Sequence, residues 1–132
     1  MKVAVGVITN EKQQILITQR PLHTSLGGRW EFPGGKLEAN ESPDEALVRE
    51  LKEELGLIVS KYSFLGEVVH QYPERHVELL VYHVTEFGGI PQCLEGQIAL
   101  KWLFSQELNP AEFPEANSGI FTLVEQLNLK QA

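Results

Sequence analysis

Three glutamates, Glu50, Glu53 and Glu54, stand at i, i+3 and i+4 within Gly35–Leu57, which reads GKLEANESPDEALVRELKEELGL. On a helix that spacing gathers the carboxylates on one face. Like charges so placed repel and weaken an isolated helix by about a few tenths of a kcal/mol per pair. A cation reverses the sign. Carboxylate oxygens suit hard divalent ions, and Mg²⁺ in particular favours one or two carboxylates with waters and substrate phosphates, a set Mn²⁺ also accepts. The plainer alternative is a solvated acidic helix face. Chemistry on this face would be metal-assisted and directed at an anionic ligand.

The helix that must carry these residues is well marked. Ser42 is an N-cap, Pro43 suits the first helical position, Glu45 completes a capping box, and Asp44 and Glu45 match the positive end of the helix dipole. Gly56 is placed to end the helix in a left-handed conformation. Leu47, Val48, Leu51 and Leu55 form an apolar stripe that must face a core, roughly a third of a turn from the acidic face, so Glu54 is expected to look to solvent. Around this helix the pattern is β-rich. Val3–Thr9 and Gln14–Gln19 flank a polar turn and read as a hairpin. The loop Pro21–Arg29 leads to a short run, Trp30–Phe32, stopped by Pro33-Gly34-Gly35. Ser63–Tyr72 and His76–Thr85 read as a long hairpin, and Leu79–Tyr82 is apolar on both pleat faces, as an interior strand requires. Ala99–Phe104 is a further strand, and Ser118–Leu129 has apolar residues at helical spacing. The expectation is an α/β chain with a mixed sheet packed between helices, forming one domain over residues 1–132.

Composition narrows the function. The chain has 132 residues, 42% hydrophobic, with 11 Lys+Arg against 18 Asp+Glu and a net charge of −7. That balance argues against direct nucleic-acid binding, which rests on basic surface. No apolar run can span a bilayer, and Met1-Lys2-Val3 enters a strand pattern with no secretory leader. The lone Cys93 excludes an intrachain disulfide and lacks a basic neighbour to activate it. These features lead to the expectation of a cytoplasmic protein, a monomer without membrane or nucleic-acid partners. His23, His70, His76 and His83 show no metal-ligand spacing.

Gly35, Glu41 after five intervening residues, Arg49-Glu50-Leu51 after seven more, then Glu53-Glu54 and Gly56-Leu57 match without gap or substitution the signature box of the Nudix hydrolases, which the chain therefore resembles. At ~7% per fixed position, such a match arises by chance in about one chain in 10⁷ or fewer. The resemblance implies an α/β/α sandwich and metal-assisted cleavage of a nucleoside diphosphate linked to a further group. It implies that Glu50, Glu53 and Glu54 bind the metal, Mg²⁺ or Mn²⁺, with the carbonyl of Gly34. It implies also that Arg49 positions the carboxylates, and that Glu41 fixes the loop. Beyond the box, Ala4–Ile8, Ile17–Arg20, Glu31–Lys36, Pro73–His76, Glu95–Gln97 and Phe113–Asn117 resemble the MutT-type branch, which hydrolyses 8-oxo-dGTP to the monophosphate and pyrophosphate and so cleanses the nucleotide pool. That likeness implies Glu95 as a further acid near the metal and Glu50 or Glu95 as general base. It implies Arg20, Glu31, Phe32, Pro33, Gly34, Arg75, Ala116 and Asn117 as substrate contacts, Asn117 reading the oxidised purine. Several have a plainer alternative: core for Phe32, a helix cap for Asn117, surface charge for Arg20 and Arg75. The rival activities are CTP or 5-methyl-dCTP pyrophosphohydrolysis, which the Phe-Pro-x-Ala-Asn ending disfavours, and a non-catalytic nucleotide-binding module.

Overall fold

A computed structural model describes residues 1–131. The chain runs β1 (Lys2–Ile8), β2 (Ile15–Gln19), β3 (Trp30–Glu31), β4 (Gly34–Lys36), α1 (Pro43–Leu55), β5 (Ile58–Gln71), β6 (His76–Gly88), β7 (Ala99–Leu103) and α2 (Ser118–Gln126), with short 3-10 turns before α2. A mixed four-stranded sheet has the order β4-β1-β6-β5, β1 lying parallel to β6 and the other pairs antiparallel. A smaller antiparallel sheet has the order β3-β2-β7.

The interior strands divide two cores between them. Leu80, Tyr82 and Val84 of β6, with Ala4 and Ile8 of β1, pack against Ala46, Leu47, Leu51 and Leu55 of α1. Val77, Leu79 and Val81, with Val5 and Val7, pack instead against Ile120 and Val124 of α2. Alternate residues thus feed opposite layers, which is why Leu79–Tyr82 reads as an unbroken apolar run. The mixed sheet is sandwiched between the two helices.

Two features differ from the sequence expectation. The first hairpin does not form. Its turn closes, with Asn10 Oδ1 accepting from the Lys12 and Gln14 amides at 3.0 and 2.9 Å, but only one bridge, Thr9 to Ile15, links the strands. Beyond it β1 takes β4 and β6 as neighbours while β2 joins the other sheet, because β1 is apolar on both faces and belongs in a sheet interior. Pro33-Gly34-Gly35, expected only to stop a strand, instead leads into strand β4, Gly34–Lys36. The chain changes sheets at Pro33, whose carbonyl accepts from the Gly6 amide at 2.8 Å. A Cβ on Gly34 would collide with the Ala4 carbonyl, so only glycine allows β4 so close to β1.

Helix α1 has the expected caps. Ser42 accepts from the Glu45 amide, Glu45 reciprocates, and Gly56 closes the C-terminus with φ 74°. One anchor had no sequence signal: the Asp44 carboxylate accepts from the Tyr82 hydroxyl at 2.7 Å and the Tyr62 hydroxyl at 3.0 Å. This ties the first turn of α1 to β5 and β6, on which the two tyrosines lie. No helix among the described residues is long and apolar enough to cross a membrane.

Candidate active site

Helix α1 presents its glutamates at graded depths. Taking about 100° per residue, Glu54 lies about 60° from Leu51 at the centre of the buried stripe, Glu50 about 100° and Glu53 about 160°. Exposure follows that order in part: the Glu53 side chain is 49% exposed and that of Glu50 is 15%. Glu54 does not look to solvent. It lies half-buried at the edge of the stripe and lines a cleft of about 240 Å³ with Thr18, Arg20, Glu31, Gly34 and Glu95.

Arg49 organises the outer part of the face. Its Nε and Nη2 donate to both oxygens of Glu41 at 2.7 and 2.9 Å, a bidentate pair. Its Nη1 donates to Glu50 at 2.8 Å and Glu53 at 3.1 Å, and its Nη2 to the Lys36 carbonyl at 3.1 Å. Glu41 also accepts from the Glu38 amide at 2.9 Å, and its pKa is drawn down to about 2, chiefly by the hydrogen bond from Arg49. Arg49 therefore locks the loop before α1 onto the helix. It also draws Glu50 and Glu53 towards its own guanidinium, and the convergence expected of the three carboxylates is incomplete. Among the described residues, no group of three His, Cys, Asp or Glu side chains is already gathered at metal-ligand spacing.

Gly35 sets the position of Glu50. A Cβ there would fall on the Glu50 carboxylate, which packs directly over the β4 backbone. Gly35→Ala is therefore expected to leave β4 paired and to displace Glu50. If that carboxylate serves the reaction, kcat falls about 10–100-fold, as when a supporting group around a metal ligand is lost. Steady-state kinetics at saturating metal, alongside a melting curve showing little change, check this.

The fourth acid comes from the loop before β7. Glu95 lines the same cleft as Glu54, and its charge is felt by both Glu50 and Glu54. Burial raises the Glu54 pKa to about 9, helped by the charges of Glu50, Glu31 and Glu95 and opposed by the Gly34 amide. Desolvation also raises Glu50 and Glu31, against the lowering effect of Arg49 and Arg20 respectively. In the lining of this cleft one arginine, Arg20, faces three carboxylates, Glu31, Glu54 and Glu95. This cleft is short of positive charge, and its donors are hard oxygens, so the residues present fit a divalent cation such as Mg²⁺ or Mn²⁺ in charge and ligand type.

Arg20 and Glu31 form the far wall of the cleft, Arg20 Nη1 donating to both Glu31 oxygens at 3.2 and 3.0 Å and Nε to the Ser25 carbonyl at 2.9 Å. Together with Gly34 they also line a second cavity of about 160 Å³, walled by Phe32, Tyr72, Arg75, Val77, Ala116 and Asn117 among others. The two cavities share three residues and so adjoin. The Phe32 ring faces inward, packed on Phe113 and Phe121 at centroid distances of 5.3 and 5.6 Å. That places its side chain in the core. Arg75 stacks over the Tyr72 ring at 5.1 Å. Asn117 precedes α2, yet its side chain makes no capping hydrogen bond and is half-buried at the cavity wall. Pro33 lies at the crossover between the sheets, beside Phe32 and Gly34. His23 is exposed on the loop between β2 and β3.

Sequence reasoning missed Gln97. Its Nε2 donates to the Glu54 carbonyl at 3.1 Å and its Oε1 accepts from the Glu95 amide at 2.8 Å. No local pattern announces a contact across 43 residues. The Asp44 clamp was invisible for the same reason.

Comparison with known proteins agrees with this architecture. The chain is 36% identical over 127 residues to the 8-oxo-dGTP diphosphatase of Escherichia coli K12, covering 96% of this chain and 98% of that one. It is 38% identical over 115 residues to the CTP pyrophosphohydrolase of the same organism, covering 83% and 84%. A solved structure from work on MutT of Aliivibrio salmonicida and Vibrio cholerae superposes with a TM-score of 0.80 at 37% identity, covering 96% of this chain and 99% of that one. The NUDIX domain pattern itself spans residues 4–123, so the chain belongs to the Nudix hydrolase family.

Proposed function

We propose that this protein hydrolyses 8-oxo-dGTP and related oxidised purine nucleoside triphosphates to the monophosphate and pyrophosphate, as an Mg²⁺-dependent monomeric enzyme of the cytoplasm that keeps mutagenic nucleotides out of DNA. The observation that carries the choice of base is Asn117. Among the described residues its carboxamide makes no capping bond; it stands at the wall of a cavity sized for part of a nucleotide, which adjoins the carboxylate cleft through Arg20, Glu31 and Gly34. A relative of nearly equal length bears the 8-oxo-dGTP diphosphatase name, which supports the reading.

In this reading the purine enters beside Asn117, with the backbone of Phe32 and Ala116 completing its recognition. Arg75, on the wall, contacts the ligand. Arg20, Glu31 and Pro33 shape the passage along which the triphosphate extends towards α1. Glu50, Glu53, Glu54 and Glu95 with the Gly34 carbonyl would hold the metal, and Arg49 fixes their disposition. The metal, when bound, would neutralise the triphosphate and lower the pKa of the attacking water. Glu50 or Glu95 accepts the proton of that water. A carboxylate serves as base only when ionised; burial raises the Glu50 pKa against that form, and the arginine beside it opposes the shift.

A competition assay across dGTP, 8-oxo-dGTP, CTP and dCTP, with product identification, tests the proposal. The expected result is preferential pyrophosphate release from 8-oxo-dGTP. Preference for a cytidine nucleotide would move the chain to the activity named for its other relative, and no turnover of any would leave a binding module. Hydrolysis in ¹⁸O-water is expected to label pyrophosphate, since water attacks the β-phosphorus. Label in the monophosphate would relocate the attack to the α-phosphorus.

A further inference from the structure

We propose that Gln97 is a positioning residue that holds Glu95 opposite Glu54, through one amide bridging the loop and the helix. The inference rests on the hydrolytic reading of the cleft given above. Four bonds fasten the loop before β7 to its neighbours. The Gln92 amide donates to the Leu55 carbonyl and the Leu94 amide to the Glu54 carbonyl, both at 3.0 Å, so the loop covers carbonyls that the end of α1 leaves without helical partners. The Glu54 carbonyl then accepts a second bond, from Gln97 Nε2 at 3.1 Å, while Gln97 Oε1 takes the Glu95 amide at 2.8 Å. Beyond Gln97, the Ile98 amide donates to the Gln19 carbonyl at 3.0 Å.

The consequence is geometric. The main chain of Glu54 and the main chain of Glu95 are two hydrogen bonds apart, through a planar carboxamide with one donor and one acceptor side. The two carboxylates that line the cleft from opposite elements are therefore spaced by Gln97. Between Glu95 and Gln97 the chain must double back at Gly96, whose φ of 78° lies in the left-handed region. Without the amide, Glu95 would remain on a tethered loop but lose its fixed distance from α1. A mobile ligand or base costs turnover and leaves recognition of the purine, which in that reading falls at the other cavity, largely intact.

Two variants and two readouts test this. Gln97→Met fills similar space without either hydrogen bond, and Gln97→Glu keeps an acceptor for the Glu95 amide. Amide hydrogen exchange followed by NMR, on the metal-free and nucleotide-free protein, should show the Glu95 amide exchanging at least about tenfold faster in Gln97→Met and near the wild-type rate in Gln97→Glu. With 8-oxo-dGTP and Mg²⁺, kcat should fall about 10–100-fold in Gln97→Met, with KM within about twofold. The double variant Gln97→Met/Glu95→Gln should be no slower than Glu95→Gln alone, because Gln97 acts through Glu95. Unchanged exchange, or losses that multiply in the double variant, would overturn the proposal. A wild-type chain that turned over no nucleotide would overturn the hydrolytic reading, whereas the exchange experiment would still decide whether Gln97 holds Glu95.

Discussion

Glu54→Gln is expected to lower kcat by roughly 10²–10⁴-fold, the range associated with loss of a group acting in the reaction, while raising the stability of the metal-free protein. The activity loss follows from the proposed role: glutamine keeps the shape and one acceptor oxygen but cannot supply the charge that a divalent cation requires. The stability gain follows from burial. The Glu54 pKa stands near 9, against an ordinary value of 4.5, because the side chain is desolvated and faces other carboxylates. Between those two values the folded protein keeps the proton and the unfolded chain releases it, so unfolding is favoured as pH rises across that window. Below about pH 4.5 both states are protonated and the effect vanishes; above about 9 it is constant. The cost in the upper part of the window is on the order of a few kcal/mol. A neutral amide removes it. In a chelator, melting temperature against pH should therefore fall between pH 5 and 9 for the wild type and be flatter for Glu54→Gln, with a residual slope from Glu50 and Glu31, whose pKa values burial also raises. The same linkage requires divalent-ion affinity to rise with pH, since binding must displace the proton. A fall in wild-type stability on acidification through this window, or near-normal kcat for the variant at saturating Mg²⁺, would contradict the assignment.

What was legible in the sequence is what local periodicity and spacing control. The limits of α1, its caps and its leucine stripe follow from residues within one helix, and each is where the pattern puts it. The apolar run Leu79–Tyr82 announced a strand covered on both faces. Partner choice was not legible. The Val3–Thr9 and Gln14–Gln19 pattern fits two strands joined by a turn, but alternation carries no information about which sheet each strand joins. Nor does composition show that a Gly-Gly pair can pair as β4 when the neighbouring backbone comes too close for any side chain. Within the site, the box placed Arg49 and the three glutamates correctly on α1 but treated them as equivalent. The helix angles alone separate Glu54 from Glu53 by about 100°, and the burial of Glu54 was available from that arithmetic. The contacts made by Asp44 and Gln97 depend on segments far away in sequence and could not be read locally.

Asn117→Ala is expected to raise KM for 8-oxo-dGTP far more than for dGTP. Guanine presents two adjacent acceptors, O6 and N7, along its Hoogsteen edge. Oxidation at C8 places a hydrogen on N7, turning the edge into an acceptor beside a donor. A carboxamide is the complement of that pair, whereas against normal guanine either orientation opposes two lone pairs. A bidentate contact of this kind discriminates by about 1–3 kcal/mol, or roughly tenfold to a hundredfold, and by more where the mismatch is buried. The structure adds a control. Removing an asparagine that caps a helix costs about 1 kcal/mol, but the Asn117 side chain makes no capping bond, so Asn117→Ala should melt near the wild-type temperature. Among the described residues the half-buried carboxamide makes no capping hydrogen bond, and it stands at the wall of the cavity formed with Ala116, Phe32 and Arg75. Asn117→Asp should raise KM for 8-oxo-dGTP further still, because an acceptor-only head would face O6. Adenine also fits a flipped amide, and its exclusion falls to the backbone of Phe32 and Ala116, which the variant leaves in place. Adenine nucleotides should therefore remain poor substrates of Asn117→Ala. The ratio of kcat/KM for 8-oxo-dGTP to that for dGTP is the deciding measurement. A ratio unchanged by Asn117→Ala, in a protein of unchanged melting temperature, would remove the residue from base recognition and leave the backbone alone to read the purine.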